Sequence, residues 1–328
     1  MSLVNISAMG KTCSKMSCSC SCPETCGMGC STAATTVVDP STAIITTTIS
    51  TTITENPAET IEAAIGIATT AIIKMYQRRH PYNLKMSHNF ALKPEKMLLL
   101  KGTAAKDLPI KVDLRGQFHP PYDQGALGSC TANALCAVVG YIDPSMLGSR
   151  LFLYYNERII EGNVGEDTGA YLSDGIKSLE TYGICPETMW PYDIAKYTVQ
   201  PADECYKEAL DHQVLQVRQL YNDLHMMRAA LAEGHPFVVG ILIYESFEAE
   251  AVAQNGIVPM PNVAGGEQML GGHAVCCVGY DDTKKMWIMR NSWGTDWGDA
   301  GHFYLPYDYL LDSTLATDLW TIIKMEIE

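Results

Sequence analysis

GALGSCTANA, residues 125–134, follows Tyr122-Asp123-Gln124 and runs straight into Leu135-Cys136-Ala137-Val138-Val139. Gly125 and Gly128 allow a tight loop, Ser129 suits an N-cap, and the apolar positions beyond Cys130 recur at helical spacing. The stretch predicts a helix over 130–141 with Cys130 at its N-terminus. Unpaired backbone N–H groups and the helix dipole favour a thiolate there. A buried structural cysteine fits the same ten residues, since free cysteine is among the most buried residue types. The choice rests on what the rest of the chain supplies.

Downstream, residues 149–161 and 171–182 also carry apolar positions at helical spacing, whereas 236–243, 273–280, 286–291 and 301–305 are short apolar runs bounded by Gly, Asp and Pro. The latter read as strands. Helices first and strands after predict an α+β fold with a cleft between its two halves. Upstream, the grammar changes. The chain has 328 residues and is 47% hydrophobic, enough for one sizeable domain and an appendage. We expect a Cys-rich and Thr-rich low-complexity tail over 1–55, a helix plus connector over 56–107, and the globular domain over 108–328.

Six of the twelve cysteines, Cys13, Cys18, Cys20, Cys22, Cys26 and Cys30, fall in the first thirty residues. Their C-x-C spacings suit soft-metal binding or cross-linking, but no histidine joins them and no zinc-ribbon register forms, so a disordered tail is the preferred reading. Residues 31–55, rich in Thr, Ile and Ala as in 44–53, are β-prone without turn signals and read as a linker or extended stalk. Pro57 opens a helix ending near Tyr76, and Arg78-Arg79-His80-Pro81 breaks it into an extended connector. The N-terminus lacks the apolar core of a secretory signal, and the best spanning candidate, residues 63–73, is too short. A soluble chain with no signal peptide and no integral membrane segment is expected. A net charge of −14 without a Lys/Arg block argues against nucleic acid as a partner.

A nucleophilic cysteine needs a base and a group to orient it. Gly271-Gly272-His273-Ala274-Val275 places a histidine at the mouth of an apolar strand, and Arg290-Asn291-Ser292-Trp293-Gly294 offers an amide with a tryptophan two residues on. Taken singly, His273 is a satisfied core histidine, Asn291 a turn residue and Trp293 a core aromatic. Jointly, with Gln124 ahead of Cys130, they resemble the papain family of cysteine proteases in type, order and spacing. Val112-Asp113-Leu114-Arg115, Tyr182-Gly183-Ile184, Trp190-Pro191-Tyr192, Val278-Gly279-Tyr280 and Asn291-Ser292-Trp293-Gly294-Thr295-Asp296-Trp297-Gly298 extend the resemblance from Leu108 to the C-terminus. Thr131-Ala132-Asn133-Ala134, Tyr244-Glu245-Ser246-Phe247 and Val258-Pro259-Met260-Pro261 are similar to its bacterial and viral, xylellain-like branch.

The resemblance implies a two-lobed fold, a helical left lobe and an antiparallel, barrel-like right lobe with the active-site cleft between them. It implies a cysteine endopeptidase acting on peptide or protein substrates without a cofactor or metal. Cys130 would be the nucleophile, His273 the proton carrier, Asn291 its orienting partner and Trp293 the shield of that pair; Gln124 and the Cys130 N–H would form the oxyanion hole. Gly169 and Ala170 would present a backbone edge, with Tyr171 and Leu172 as apolar wall, Gly272 opposite, and Asp318 at the floor of a pocket favouring a basic residue. The N-terminal segment, roughly 75–107, would cross the cleft as an intramolecular inhibitor. Two positions depart from the family pattern: Leu127 replaces a disulfide cysteine and Thr131 a tryptophan. Cys185 and Cys205 are candidates for a branch-specific disulfide, whereas Cys136, Cys276 and Cys277 read as core. The competing readings are a Cys-His acyltransferase, disfavoured by Asn rather than Asp at 291, and a catalytically silent binding module, disfavoured because all four reacting positions are filled.

Overall fold

The computed structural model describes residues 80–87 and 107–326, and two short strands, β1 (Thr36–Asp39) and β2 (Ile44–Thr47). The Cys-rich stretch over 1–30, the helix expected over 57–76 and the connector over 88–106 lie outside the described residues. Strands β1 and β2 pair antiparallel within a unit comprising residues 1–78. The Thr-rich stretch therefore carries paired strands, where its lack of turn signals had suggested only a linker.

The second unit, residues 79–328, holds the helices and a seven-stranded sheet. Helix α1 (Cys130–Ile142) is buried at every position from Cys130 to Gly140, so it runs through the interior and shows no solvated face. Helix α2 (Arg150–Glu161) starts at Ser149, whose hydroxyl accepts from the Phe152 N–H at 3.1 Å, and stops at Gly162, a left-handed position with φ 75°. Helix α3 (Leu172–Thr181) packs on α2. Helix α4 (Asp203–Ala209) carries Cys205 to Cys185, where Phe152 and Ala209 complete a small buried cluster. Burial and then the neighbouring Cys205 push the Cys185 thiol up. The expected proximity is met, with both residues as thiols.

The sheet comprises β3 (Lys111–Asp113), β4 (Val214–Gln219), β5 (Phe237–Tyr244), β6 (Met269–Asp281), β7 (Met286–Arg290), β8 (His302–Pro306) and β9 (Ala316–Met325). Its order is β4-β9-β5-β6-β7-β8, with β3 added to β6, and every pairing is antiparallel. Among the described strands β4 and β8 remain unpaired with each other. The right lobe is thus an open antiparallel sheet, in keeping with the expected barrel-like lobe but without closure.

Strand β6 divides the interior. Its side chains alternate: Ala274, Cys276 and Val278 join a cluster with Leu135, Val138 and Leu153 from the helices, while Val275 and Cys277 join Phe237, Trp287 and Phe303. A strand's period of two sends neighbouring residues to opposite faces, so one strand serves as the wall of two cores. Cys136, Cys276 and Cys277 are core residues, as expected. Where α1 begins and β6 enters the sheet the two cores part, and the predicted reactive residues collect there.

Candidate active site

Cys130 is the first residue of α1, and His273 lies in β6 opposite Ile241 of β5. Both are fully buried. The Ser129 hydroxyl does not cap α1, contrary to the N-cap expectation. It is hydrogen-bonded at 2.5 Å to the Tyr192 hydroxyl, which donates to the Gln124 carbonyl at 2.9 Å, and it accepts from the Asn133 amide at 3.0 Å. The loop before Cys130 is therefore held by a buried relay of side chains, and no Ser129 side chain caps the first N–H groups of α1.

His273 Nε2 and Asn291 Oδ1 are 2.8 Å apart. An amide oxygen only accepts, so Nε2 carries the proton and Nδ1 presents a lone pair with no partner among the described residues. Asn291 Oδ1 also accepts from the Ser292 N–H at 2.9 Å, which fixes the amide. Trp293 lies over the imidazole, ring centroids 5.1 Å apart and 27° from parallel. Water is thereby kept from the His273–Asn291 bond. Gln124 is equally fixed: its Oε1 accepts from the Ser292 hydroxyl at 2.6 Å, and its Nε2 donates one hydrogen to the Leu127 carbonyl at 3.0 Å.

Two loops carry these residues, and they are stitched together. Gln124 N–H reaches the Ser292 carbonyl at 2.9 Å and Gly294 N–H the Tyr122 carbonyl at 2.8 Å. Behind them Arg290, nearly fully buried, donates to the carbonyls of His119 and Pro120, both at 2.7 Å. Burial holds its guanidinium below its ordinary value, and the two carbonyls satisfy it. Arg290, Ser292 and Tyr192 stand within motifs quoted from the sequence but were given no role there. A charged residue closing the apolar run Met286-Trp287-Ile288-Met289 was the available signal for Arg290.

The cleft is occupied by the chain's own residues 80–87. Leu84 N–H bonds the Gly272 carbonyl at 3.0 Å and Lys85 N–H the Ala170 carbonyl at 3.1 Å. His80 donates to the Gly125 carbonyl at 2.9 Å and stacks on Trp293 at 4.9 Å. Tyr82 meets His273 edge-on at 6.1 Å, and its hydroxyl bonds Glu248. Leu84, 7% exposed, packs into the helical-lobe core. Gly169, at φ 70°, lies so close that a Cβ there would stand 1.7 Å from the Asn83 carbonyl oxygen. Only glycine fits that approach.

Burial under this cover decides the electrostatics. It pushes the Cys130 thiol up to about 12, against the pull of a backbone hydrogen bond from Ala274. It pushes the His273 imidazole down to about 4; Asn291 opposes that shift and His80 adds to it. The covered pair is a neutral thiol beside a neutral imidazole.

The predicted substrate-side residues divide. Gly169, Ala170, Gly272 and Trp293 all touch the segment, and the Tyr171 ring faces the Lys85 ammonium at 5.8 Å. Leu172 is fully buried in the helical-lobe core and forms no surface wall. Asp318, at φ 61° and 2% exposed, accepts from Trp320 Nε1 at 3.0 Å, while its other oxygen has no partner among the described residues. Burial raises its carboxyl to about 6. Leu84 lies instead against Gly240, where an added Cβ would come 2.8 Å from Leu84 Cδ2 and 3.4 Å from the Thr317 carbonyl.

Comparison with known proteins agrees with this geometry. An uncharacterized peptidase C1-like protein of Acanthamoeba polyphaga mimivirus is 40% identical over 214 residues, 61% of this chain and 68% of that protein. The crystal structure of xylellain, a cysteine protease from Xylella fastidiosa, has 37% identity and a TM-score of 0.66, covering 75% of this chain and 97% of that one. Digestive procathepsin L 3 of Tenebrio molitor larval midgut shares the fold at 20% identity and a TM-score of 0.55, over 77% and 79% of the two chains. The family profile described as papain family cysteine protease matches residues 108–317. With a cysteine at a helix start, an imidazole held by an asparagine and a tryptophan over both, this chain belongs to the papain family of cysteine proteases.

Proposed function

We propose that the chain is the closed precursor of a cysteine endopeptidase whose reacting set is Cys130, His273, Asn291 and Gln124. One observation carries this reading: His273 is tied through Nε2 to Asn291, which leaves its Nδ1 lone pair open, and the next residue, Ala274, gives its backbone hydrogen bond to Cys130. With the cleft open and wetted, Nδ1 takes the Cys130 proton, and the thiolate gains the α1 N–H groups and the helix dipole. The thiolate attacks the peptide carbonyl. The Cys130 N–H and the second hydrogen of Gln124 Nε2 meet the developing oxyanion. The imidazolium then gives its proton to the departing amine, and water, deprotonated by the same nitrogen, frees the acyl group from sulfur.

Residues 80–87 are the inhibitory part of a segment that we assign to 56–107, ahead of a peptidase domain over 108–328 and behind a tail over 1–55. The two main-chain bonds from Leu84 and Lys85 support this assignment, since they use the carbonyls of Gly272, next to His273, and of Ala170, in the segment expected to pair with substrate backbone. The test is intact-mass labelling with an epoxysuccinyl thiol probe. The full chain should take no label, limited proteolysis upstream of Leu108 should unmask one site, and Cys130→Ala should abolish it. A full chain that labels at Cys130 as fast as the nicked one refutes the blocking role; a nicked, folded chain that never labels refutes the chemistry.

A further inference from the structure

At the end of α2, Glu161 forms an ion pair with Lys85 of the cleft segment. The carboxylate is well sheltered, with 8% of its side chain exposed, and other groups hold it: its Oε1 accepts from the Tyr171 N–H at 3.1 Å and its Oε2 from the Asn163 amide at 3.2 Å. The Lys85 ammonium also faces the Tyr171 ring, 5.8 Å from its centroid, and the Lys85 N–H is fixed on the Ala170 carbonyl at 3.1 Å. A carboxylate, an aromatic face and a backbone acceptor thus surround one lysine. Such a set recognises a cation on an extended chain. The neighbourhood leaves that cation little competition. Burial and then Glu161 push the Asp174 carboxyl up, and Lys177 and Lys85 are the cations that counter this. Once the segment leaves, Lys85 goes with it, and two carboxyls remain on this wall with Lys177.

We propose that Glu161 and Tyr171 form a cation-selecting subsite, so that the substrates of this enzyme carry Lys or Arg next to an apolar residue. The apolar residue takes the place of Leu84 against Gly240, and the basic one takes the place of Lys85 over Ala170. This inference rests on the proposed function and moves the basic preference from Asp318, whose hydrogen bond is spent on Trp320 within its own strand, to Glu161.

Two measurements on the full-length chain test it. In the first, iodoacetamide alkylation of Cys130 is timed for Lys85→Gln, Glu161→Gln and the double variant. Glutamine at 161 retains an acceptor for the Tyr171 N–H. Each single change should speed alkylation several-fold, and the double should be no faster than the faster single, because one pair has been broken once. Additive effects overturn the pairing. In the second, the chain is nicked upstream of Leu108 and Cys130 is protected with blocked peptides carrying Lys, Gln or Glu next to Leu, in both orders. Lys should protect at roughly tenfold lower concentration than Glu, and Glu161→Gln should erase the difference. Equal protection by all three overturns the subsite. Because protection needs no turnover, peptides that protect but are never hydrolysed would count against the proposed function and leave the subsite standing.

Discussion

Two stretches meet over Cys130, and they were unequally readable. The floor of the cleft, residues 122–130 with 271–273 and 290–294, is dense with residue types that chemistry demands. The strap across it, residues 80–87, has a histidine and an asparagine of its own, His80 and Asn83, but in no spacing that announces a site. Yet both are held by similar bonds: Gln124 N–H to Ser292 O in the floor, Leu84 N–H to Gly272 O from the strap. The contrast shows what leaves a trace in a sequence. Reaction requires particular side chains, whereas occupancy requires a backbone, an apolar anchor and glycines opposite that let it come close.

The largest effects should come from the floor. Cys130→Ala should abolish hydrolysis by the nicked chain, and Cys130→Ser should retain less than about one part in a thousand of kcat/KM, because an un-ionised hydroxyl replaces the proposed thiolate nucleophile. Gln124→Ala removes one oxyanion donor and should lower kcat by about 10²–10³ with little change in KM. A loss confined to KM would show that Gln124 only binds substrate. Neither change should loosen the strap, which bonds to Gly272 and Ala170.

A smaller effect, with the opposite dependence, should come from the strap. Leu84 is its buried anchor, and Leu84→Ala should cost about 2 kcal/mol of the closed state. That shifts the closed-to-open ratio about 30-fold. The full chain should then label at Cys130 about that much faster, while kcat/KM after nicking stays at the parent value. Unchanged labelling would mean that the backbone bonds alone keep the cleft shut.

The helices and strands were legible because their periods were clean. The helices starting at Cys130, at Ser149 and near Tyr171 sit within a residue or two of expectation, and the four apolar runs of the second half all became strands. Strand β4 was missed because Val214-Leu215-Gln216-Val217-Arg218-Gln219 alternates with charged and amide residues on an edge. The proposed reacting set was drawn from the sequence as a pattern, whereas the Tyr192–Ser129–Asn133 relay was not: hydroxyls and amides satisfy one another through tertiary contact, and no spacing announces it. The same reason hid Glu161. It closes an amphipathic helix as an ordinary charged residue would, and only its lysine partner, far upstream in sequence, gives it a meaning.

The smallest expected effect is graded with pH and separates floor from strap most finely. In the closed chain His273 is held near 4 from an ordinary value of 6.5, and Cys130 near 12 from an ordinary 9.0, burial being the chief cause of both. A base whose closed-state value is depressed binds its proton better when open. Its contribution to closure is complete above 6.5 and is lost as pH falls toward 4. The thiol, whose closed-state value is raised, contributes fully below 9 and loses that contribution as pH rises toward 12. Closure is therefore firmest between about 6.5 and 9, and mild acid opens the strap, by at most roughly tenfold per pH unit. Hydrogen exchange at the Leu84 and Lys85 amides, corrected for intrinsic rate, should show protection falling from pH 7 to pH 5. In His273→Gln the fall should flatten, because the group that takes up the proton is gone. If it persists, His273 is not the group through which acid opens the cleft, and the strap is released from its rim, where Lys85 meets Glu161 and Tyr82 meets Glu248.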